Sequence, residues 1–328
     1  STSGYPEGSP FPWLVSDFGL VDAIECGITK VPRLPVADDT GNTDDAGRPD
    51  PQFFRLWEHI KSKCTTGEKN RGTPKPDAVL KYAQPALATL ASQWKVQFEK
   101  YQEDAGGQSF IPPVMIVVCD NTDTAEIVYE HIAGETEVEV PDPNNTKKTI
   151  IEKRYGTGEL FPELLANSEE RQVTIRIDSK LLEKVEKEEG ESKDDAALRL
   201  RELIDTVGKR GDLGEQVRCV VSVSMLTEGW DANNVTHILG IRAFGSQLLC
   251  EQVVGRGLRR MSYEPDPESG LLRAEYADVY GIPFSLIPYK GKEKDDVDKP
   301  DPVYHPIYAV EERAAYEMRL PVVESYVW

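Results

Sequence analysis

An α/β fold, a parallel sheet flanked by helices, set between an N-terminal helical extension and a C-terminal β-rich extension, is what this 328-residue sequence predicts. Three features point to it. The run VMIVVC at 114–119 is uninterruptedly apolar, as a strand buried on both faces must be, and is followed by a polar turn and the amphipathic stretch TAEIVYEHI. Between Val220 and Arg260 an apolar strand enters a turn containing Gly229 and Asp231, then a second strand and a helix follow. Upstream, Val79, Ala83, Ala86, Leu87, Leu90, Trp94, Phe98 and Tyr101 recur at helical spacing.

Taken in order, residues 1 to about 50 hold the apolar opening FPWLVSDFGLVDAIECGI and a Pro- and Asp/Gly-rich stretch, Pro32 to Pro51, suited to a wrapping segment. FFRLWEHIKSKC reads as a helix, and 79–101 as a longer one in which Pro85 introduces a kink; its aromatic stripe belongs to the core. After the strand at 114–119, Asn121 and Thr122 occupy the turn. ETEVEV and KKTIIEKRY alternate in polarity around PDPNN, which predicts a hairpin inserted at about 135–156. VTIRIDS at 173–179 is the next strand, with Asp178 or Ser179 placed to cap a following helix. AALRLRELIDTV reads as a helix, TVGKRGDLG as a glycine-rich loop and VRCVVSVSM as a strand; beyond MSYEPDPESG, EYADVYGIPFSLI reads as a strand pair.

Composition narrows the class. Hydrophobic content of 39% and charged content of 29% are ordinary for a globular chain. No apolar run reaches the roughly 18 residues needed to span a bilayer, and the N-terminus lacks a basic start and an apolar centre, so a cytoplasmic chain is expected. The cysteines at 26, 64, 119, 219 and 250 are odd in number and widely spaced, and read as reduced, buried small hydrophobes. Histidines 59, 131, 237 and 305 are too scattered for a metal site or a catalytic base. A formal charge of -19 opposes nucleic-acid binding over the whole surface, but much of the acid lies in EKEEGESKDD and EKDDVDKPD, which leaves room for a confined basic strip.

The chemistry concentrates in the helix that carries Gln252, Gly255, Arg256 and Arg259 at Q-x-x-G-R-x-x-R spacing. Phosphoryl transfer to water builds charge on the γ-phosphate oxygens, and a guanidinium supplied from outside the phosphate loop neutralises it. Helical residues three apart share a face, so Arg256 and Arg259 can address one anion; arginine suits the task because its planar fork donates two hydrogen bonds and keeps its charge. Gly255 permits a close backbone approach and the Gln252 amide can orient water or phosphate. Arg260 reads as a cation at a helix C-terminus, where the macrodipole favours it. Gly255-Arg256-Gly257 lacks a third glycine and lies within the helix, so it is no dinucleotide fingerprint. Lys209 follows a helix and precedes a strand, so the glycine-rich loop is no phosphate loop, and neither a Walker A lysine nor a DExx box occurs in the sequence.

With TEGWD in the place of motif V and QVVGRGLR in that of motif VI, the chain resembles the superfamily 2 helicases and translocases; the strand, turn and helix from 114 resemble their motif IV. Together with SDFGLVDAIECGITKVPRLP, the wording is most similar to the restriction (Res) subunit of type III restriction enzymes. The resemblance implies a second RecA-like lobe over 111–262, preceded by a wrapping segment with helices over 1–110 and followed by an extension, 263–328, that leads to a further domain. It implies Arg259 as arginine finger, supported by Arg256 and Gln252, with Gly229, Asp231 and Gly255 on the nucleotide side. Thr227, Ser224, Asn121, Thr122 and Ser179 would follow the nucleic-acid track through backbone phosphates, although Thr227 and Ser224 equally suit local backbone capping. ATP and Mg2+ would be held mainly by a first lobe of the same polypeptide, the substrate track would be double-stranded DNA, and a methyltransferase (Mod) subunit is an implied partner. Such a lobe alone would hydrolyse nothing. Two other readings stand beside this one: a RecA-like nucleic-acid-binding or regulatory module without its own ATPase, and a DNA repair translocase unconnected with restriction.

Overall fold

Six strands hydrogen-bond in the order β1-β10-β9-β4-β8-β7, every neighbouring pair parallel. They are β1 (Val31–Arg33), β4 (Val114–Cys119), β7 (Thr174–Ile177), β8 (Cys219–Ser222), β9 (Val235–Ile241) and β10 (Tyr276–Tyr280); the short strands β2 (Lys69–Asn70) and β3 (Thr73–Pro74) pair only with each other, and α5 is the single turn Pro162–Leu165. This computed structural model describes residues 19–35, 47, 53–142, 145–178, 198–199, 201–223 and 230–283. The chain divides into two compact units, 11–287 and 1–10 with 288–328, and the second lies outside the described residues.

β4 is central and buried at all six positions, which is why its sequence is an unbroken apolar run. Its side chains alternate between two cores. Met115, Val117 and Cys119 face one made with α2 (Leu56–Lys63), α3 (Pro76–Asp104) and α4 (Thr122–Ala133). Val114, Ile116 and Val118 face the other, shared with helical residues 201–205 and with α6 (Gln247–Gly257). The fold is therefore α/β and RecA-like in character, with helices on both faces of a parallel sheet.

The long helix α3 begins with Pro76 in its first turn, where a missing N–H costs nothing, and continues unbroken through Pro85. Val79, Ala83, Ala86, Leu87, Leu90, Trp94 and Phe98 are buried and Tyr101 is half-buried, so the aromatic stripe is core; Trp94 Nε1 donates to Pro113 O at 2.8 Å. The inserted hairpin is β5 (Glu135–Asp142) against β6 (Asn145–Tyr155), antiparallel from Glu135↔Tyr155 outward. Gly134, at φ +66°, ends α4 where the returning strand comes close: a Cβ there would stand 2.5 Å from Gly156 O. The base of the hairpin is fixed by the buried Glu135, which accepts from Tyr129 Oη (2.8 Å), Lys153 Nζ (2.6 Å) and Asn167 Nδ2 (2.9 Å).

The sheet draws strands from both sides of the 111–262 segment. The first half of EYADVYGIPFSLI forms strand β10, lodged between β1 and β9 and reached through the crossover helix α6 that a parallel connection requires. Residues 284 onward, including the second half of that expected pair, lie outside the described residues. Short β1 likewise belongs to the sheet, with Val31, Pro32 and Arg33 opposite Tyr276, Ala277 and Asp278. Asp178 is buried and pairs with Arg176 Nε at 3.0 Å; the helix that it or Ser179 was expected to cap falls outside the described residues. Cys64, Cys119, Cys219 and Cys250 are buried free thiols as expected, but Cys26, at the C-terminus of the short surface helix α1 (Leu20–Glu25), is exposed. Among the described residues no helix is long and apolar enough to cross a membrane.

Candidate functional site

Helix α6 is started by Ser246, whose hydroxyl accepts from Leu249 N at 3.2 Å, and it buries Cys250, Val253 and Val254 against the sheet. Its last turn lies on the beginning of β9. Gly257 makes this possible: a Cβ there would stand 2.5 Å from Ile238 Cδ1 and 3.2 Å from Val235 Cγ1. The helix thus runs back antiparallel to β9 and delivers its C-terminus to the end of the sheet where β9 starts. Gly255, the glycine expected to allow a close approach, faces open space. Gln252 and Gly255 are exposed and Arg256 is half-buried.

The helix stops earlier than its pattern implies. Gly257 is its final residue and Leu258 its C-cap, so Arg259 does not share the face of Arg256 as a helical neighbour; it forms an isolated antiparallel bridge with Thr29. Its Nη1 instead pairs with the carboxylate of Asp231. Two sequence constellations about 30 residues apart in the chain are thereby brought together. Both side chains stay more than half exposed, 51% and 58%, so the pair contributes at most about 1 kcal/mol and is readily exchanged for another partner.

Trp230, the neighbour of Asp231, is buried and donates from Nε1 to Ile204 O at 3.1 Å, which anchors the segment carrying the carboxylate. Lys30 is also buried, and reaches the same place from the N-terminal segment. Its Nζ donates to Asn233 O at 2.6 Å and Val235 O at 2.5 Å, while its backbone N–H donates to Leu258 O at 2.7 Å. Burial lowers its pKa from 10.5 to about 8, with Glu275 opposing the shift and Arg260 adding to it. No periodicity marks a single lysine ahead of a three-residue strand, so sequence reasoning passed over it; Trp230 and Gly257 were likewise unassigned.

Arg260 is not a helix-end cation. It is 6% exposed, donates from Nε to Ser262 O at 3.1 Å and from Nη2 to Arg273 O, and pairs with Glu275 at 3.5 Å. Glu275 in turn accepts from Met261 N and Ser262 N. Arg260 therefore holds the exit loop, because the chain turns away from the α6 axis at Leu258 and carries the side chain inward.

Asn121 and Thr122 lie at the opposite end of the sheet. They follow β4, which is parallel to β9, so a strand length of roughly 20 Å separates them from Asp231 and Arg259. Asn121 Oδ1 accepts from Thr124 N at 2.8 Å and caps α4, and Thr122 opens that helix. Ser179, Ser224, Thr227 and Gly229 lie outside the described residues.

A cleft of about 520 Å³ opens beside β1, β9 and β10, and its charges are of both signs: Arg33 makes a two-pronged pair with Asp278 at 2.6 Å, and Arg260 meets Glu275. His237 in its wall is buried, and burial lowers its pKa to about 4 against the partial opposition of Asp278, so the imidazole is neutral at pH 7. Among the described residues no group of three His, Cys, Asp or Glu side chains is placed to hold a metal ion. The Arg259 guanidinium, paired with Asp231, thus lies at an exposed surface. No protein-family model matches the chain, and no curated protein sequence matches it.

Proposed function

We propose that this chain supplies the second RecA-like lobe of an ATP-dependent DNA translocase, with Arg259 as the residue that reaches the γ-phosphate. One observation carries the reading: Arg259 and Asp231, the residues that stand in the motif VI and motif V positions, meet at one end of the sheet on an exposed surface. A guanidinium held by an exposed carboxylate is kept extended at little cost and can be transferred to a phosphate when a nucleotide-bearing surface closes on it. In this reading Arg256 and Gln252, upstream on α6, assist Arg259, and Gly229, Asp231 and Gly255 are the residues of the nucleotide side. ATP and Mg2+ are held mainly by the first lobe. Asn121 and Thr122, some 20 Å away at the other end of the strands, fit phosphate contacts along double-stranded DNA, with Ser179, Ser224 and Thr227 as further members of that track. The type III Res subunit, cytoplasmic and associated with a Mod methyltransferase, is the finer form of the proposal, supported by the wording of the motifs.

The test is ATP hydrolysis, with and without double-stranded DNA, by this chain and by a polypeptide extended upstream to a Walker A lobe. Activity confined to the extended form, stimulated by DNA and reduced about 10³- to 10⁵-fold by Arg259→Ala, is the expected result. Near-wild-type hydrolysis by a folded Arg259→Ala protein would remove the arginine-finger assignment. Absence of hydrolysis in both forms would favour a RecA-like binding or regulatory module.

A further inference from the structure

Three separate segments of chain converge below the Arg259–Asp231 pair, and Lys30 touches each of them. Its own segment forms the Thr29↔Arg259 bridge, its backbone N–H donates to Leu258 O, and its ammonium donates to Asn233 O and Val235 O. Arg259 is the next residue after Leu258, and Asp231 is two residues before Asn233. Lys30 is 1% exposed, and among the described residues no carboxylate is paired with its ammonium, whose hydrogen bonds go to backbone carbonyls. A methionine would fill the same volume without desolvating a charge, so hydrophobic packing alone is not a reason for a lysine here. What the lysine adds is direction: two short donor bonds fix the start of β9, while the main chain of the same residue fixes the end of α6.

We infer that Lys30 is a positioning residue, which sets the register between the Asp231 segment and the Arg259 segment and so aims the guanidinium. The inference rests on the proposed role of Arg259 for its catalytic consequence, but not for its structural one. The geometry assigns the N-terminal segment Gly27–Arg33 to the site itself, as the strap that locks two other parts of it.

Two measurements on Lys30→Met and Lys30→Gln separate these levels, with Asn167→Ala as a destabilised control whose lesion lies at β7, away from the site. Hydrogen exchange on the full chain is followed in peptides spanning 230–236 and 256–261. ATP hydrolysis is followed in the extended polypeptide as kcat and KM. Expected for Lys30→Met are faster exchange in those two peptides together, with α3 and β4 unchanged, and a kcat reduced roughly 10- to 100-fold at unaltered KM for ATP, the signature of a misplaced group. The shorter Lys30→Gln, which keeps donors but not reach, gives the same local pattern and stands in if the methionine variant fails to fold. Asn167→Ala lowers overall stability without that paired response. Exchange at wild-type rates in both peptides overturns the inference, as does an increase spread evenly over the chain. If the wild-type polypeptide hydrolyses no ATP, the proposed function falls, and the exchange measurement alone still decides whether Lys30 couples the two segments.

Discussion

Lys30→Met will flatten the alkaline limb of the stability profile, and the size of the effect follows from the burial of the amine. In the unfolded chain this lysine titrates near 10.5, in the fold at about 8, because burial disfavours the charged form more than Glu275 restores it. The difference corresponds to a penalty of about 3 kcal/mol on the folded state wherever the lysine must be charged. The folded value lies below the unfolded one, so between them the unfolded chain binds more protons and stability rises with pH. The penalty is complete below about pH 8 and gone above about pH 10.5. Moving from about pH 7.5 to about pH 9.5 should therefore raise the unfolding free energy of the wild-type chain by about 2 kcal/mol relative to Lys30→Met. Urea denaturation of both proteins at the two pH values measures this. The variant also leaves the carbonyls of Asn233 and Val235 without their donor, which shifts its stability at every pH, so the difference in slope is the diagnostic quantity. Parallel profiles would refute the argument that a charged amine is desolvated at this position.

The two glycines of α6 should respond in opposite directions to alanine. Gly257→Ala forces a Cβ to within 2.5 Å of Ile238 Cδ1 and should cost about 1–3 kcal/mol in urea denaturation, whereas Gly255→Ala meets open space and should stabilise the helix by up to about 1 kcal/mol. Asn167→Ala removes the acceptor for Val173 N and Thr174 N and a donor to Glu135, and should cost about 3 kcal/mol or more by the same measurement. Burial raises the pKa of Glu135, but its bonds from Lys153, Asn167 and Tyr129 outweigh that and leave it lowered. Its contribution is therefore present above the ordinary carboxylate range and lost as pH falls through the folded value, and Glu135→Gln should show a shallower loss of thermal stability on acidification.

The parts of this molecule legible in the sequence are those in which residue type repeats with the geometry of the element. The alternation of β4 between two cores leaves an apolar run, the buried stripe of α3 leaves a helical period, and the hairpin leaves alternating strands around a turn. The candidate site was partly legible for a related reason: the Q-x-x-G-R-x-x-R spacing marks a helix that presents polar groups in order. Its end was not legible, because termination at Leu258 depends on Gly257 seating against Ile238 and on the main chain of Lys30 taking the Leu258 carbonyl. Neither partner lies near in sequence.

Sequence by itself determined the α/β class, the buried strands and the chemical character of the arginine-bearing segment, since these depend on side-chain periodicity over a few turns or pleats. Only the tertiary structure decided that β1 and β10 complete the sheet, that Arg259 faces Asp231 while Arg260 turns inward, and that Lys30 hydrogen-bonds to Asn233, Val235 and Leu258. Those outcomes depend on hydrogen bonds between groups as far as 245 residues apart, such as Arg33 with Asp278. Contacts at that separation arise from the folding of the sheet as a whole, and leave no local period from which to read them.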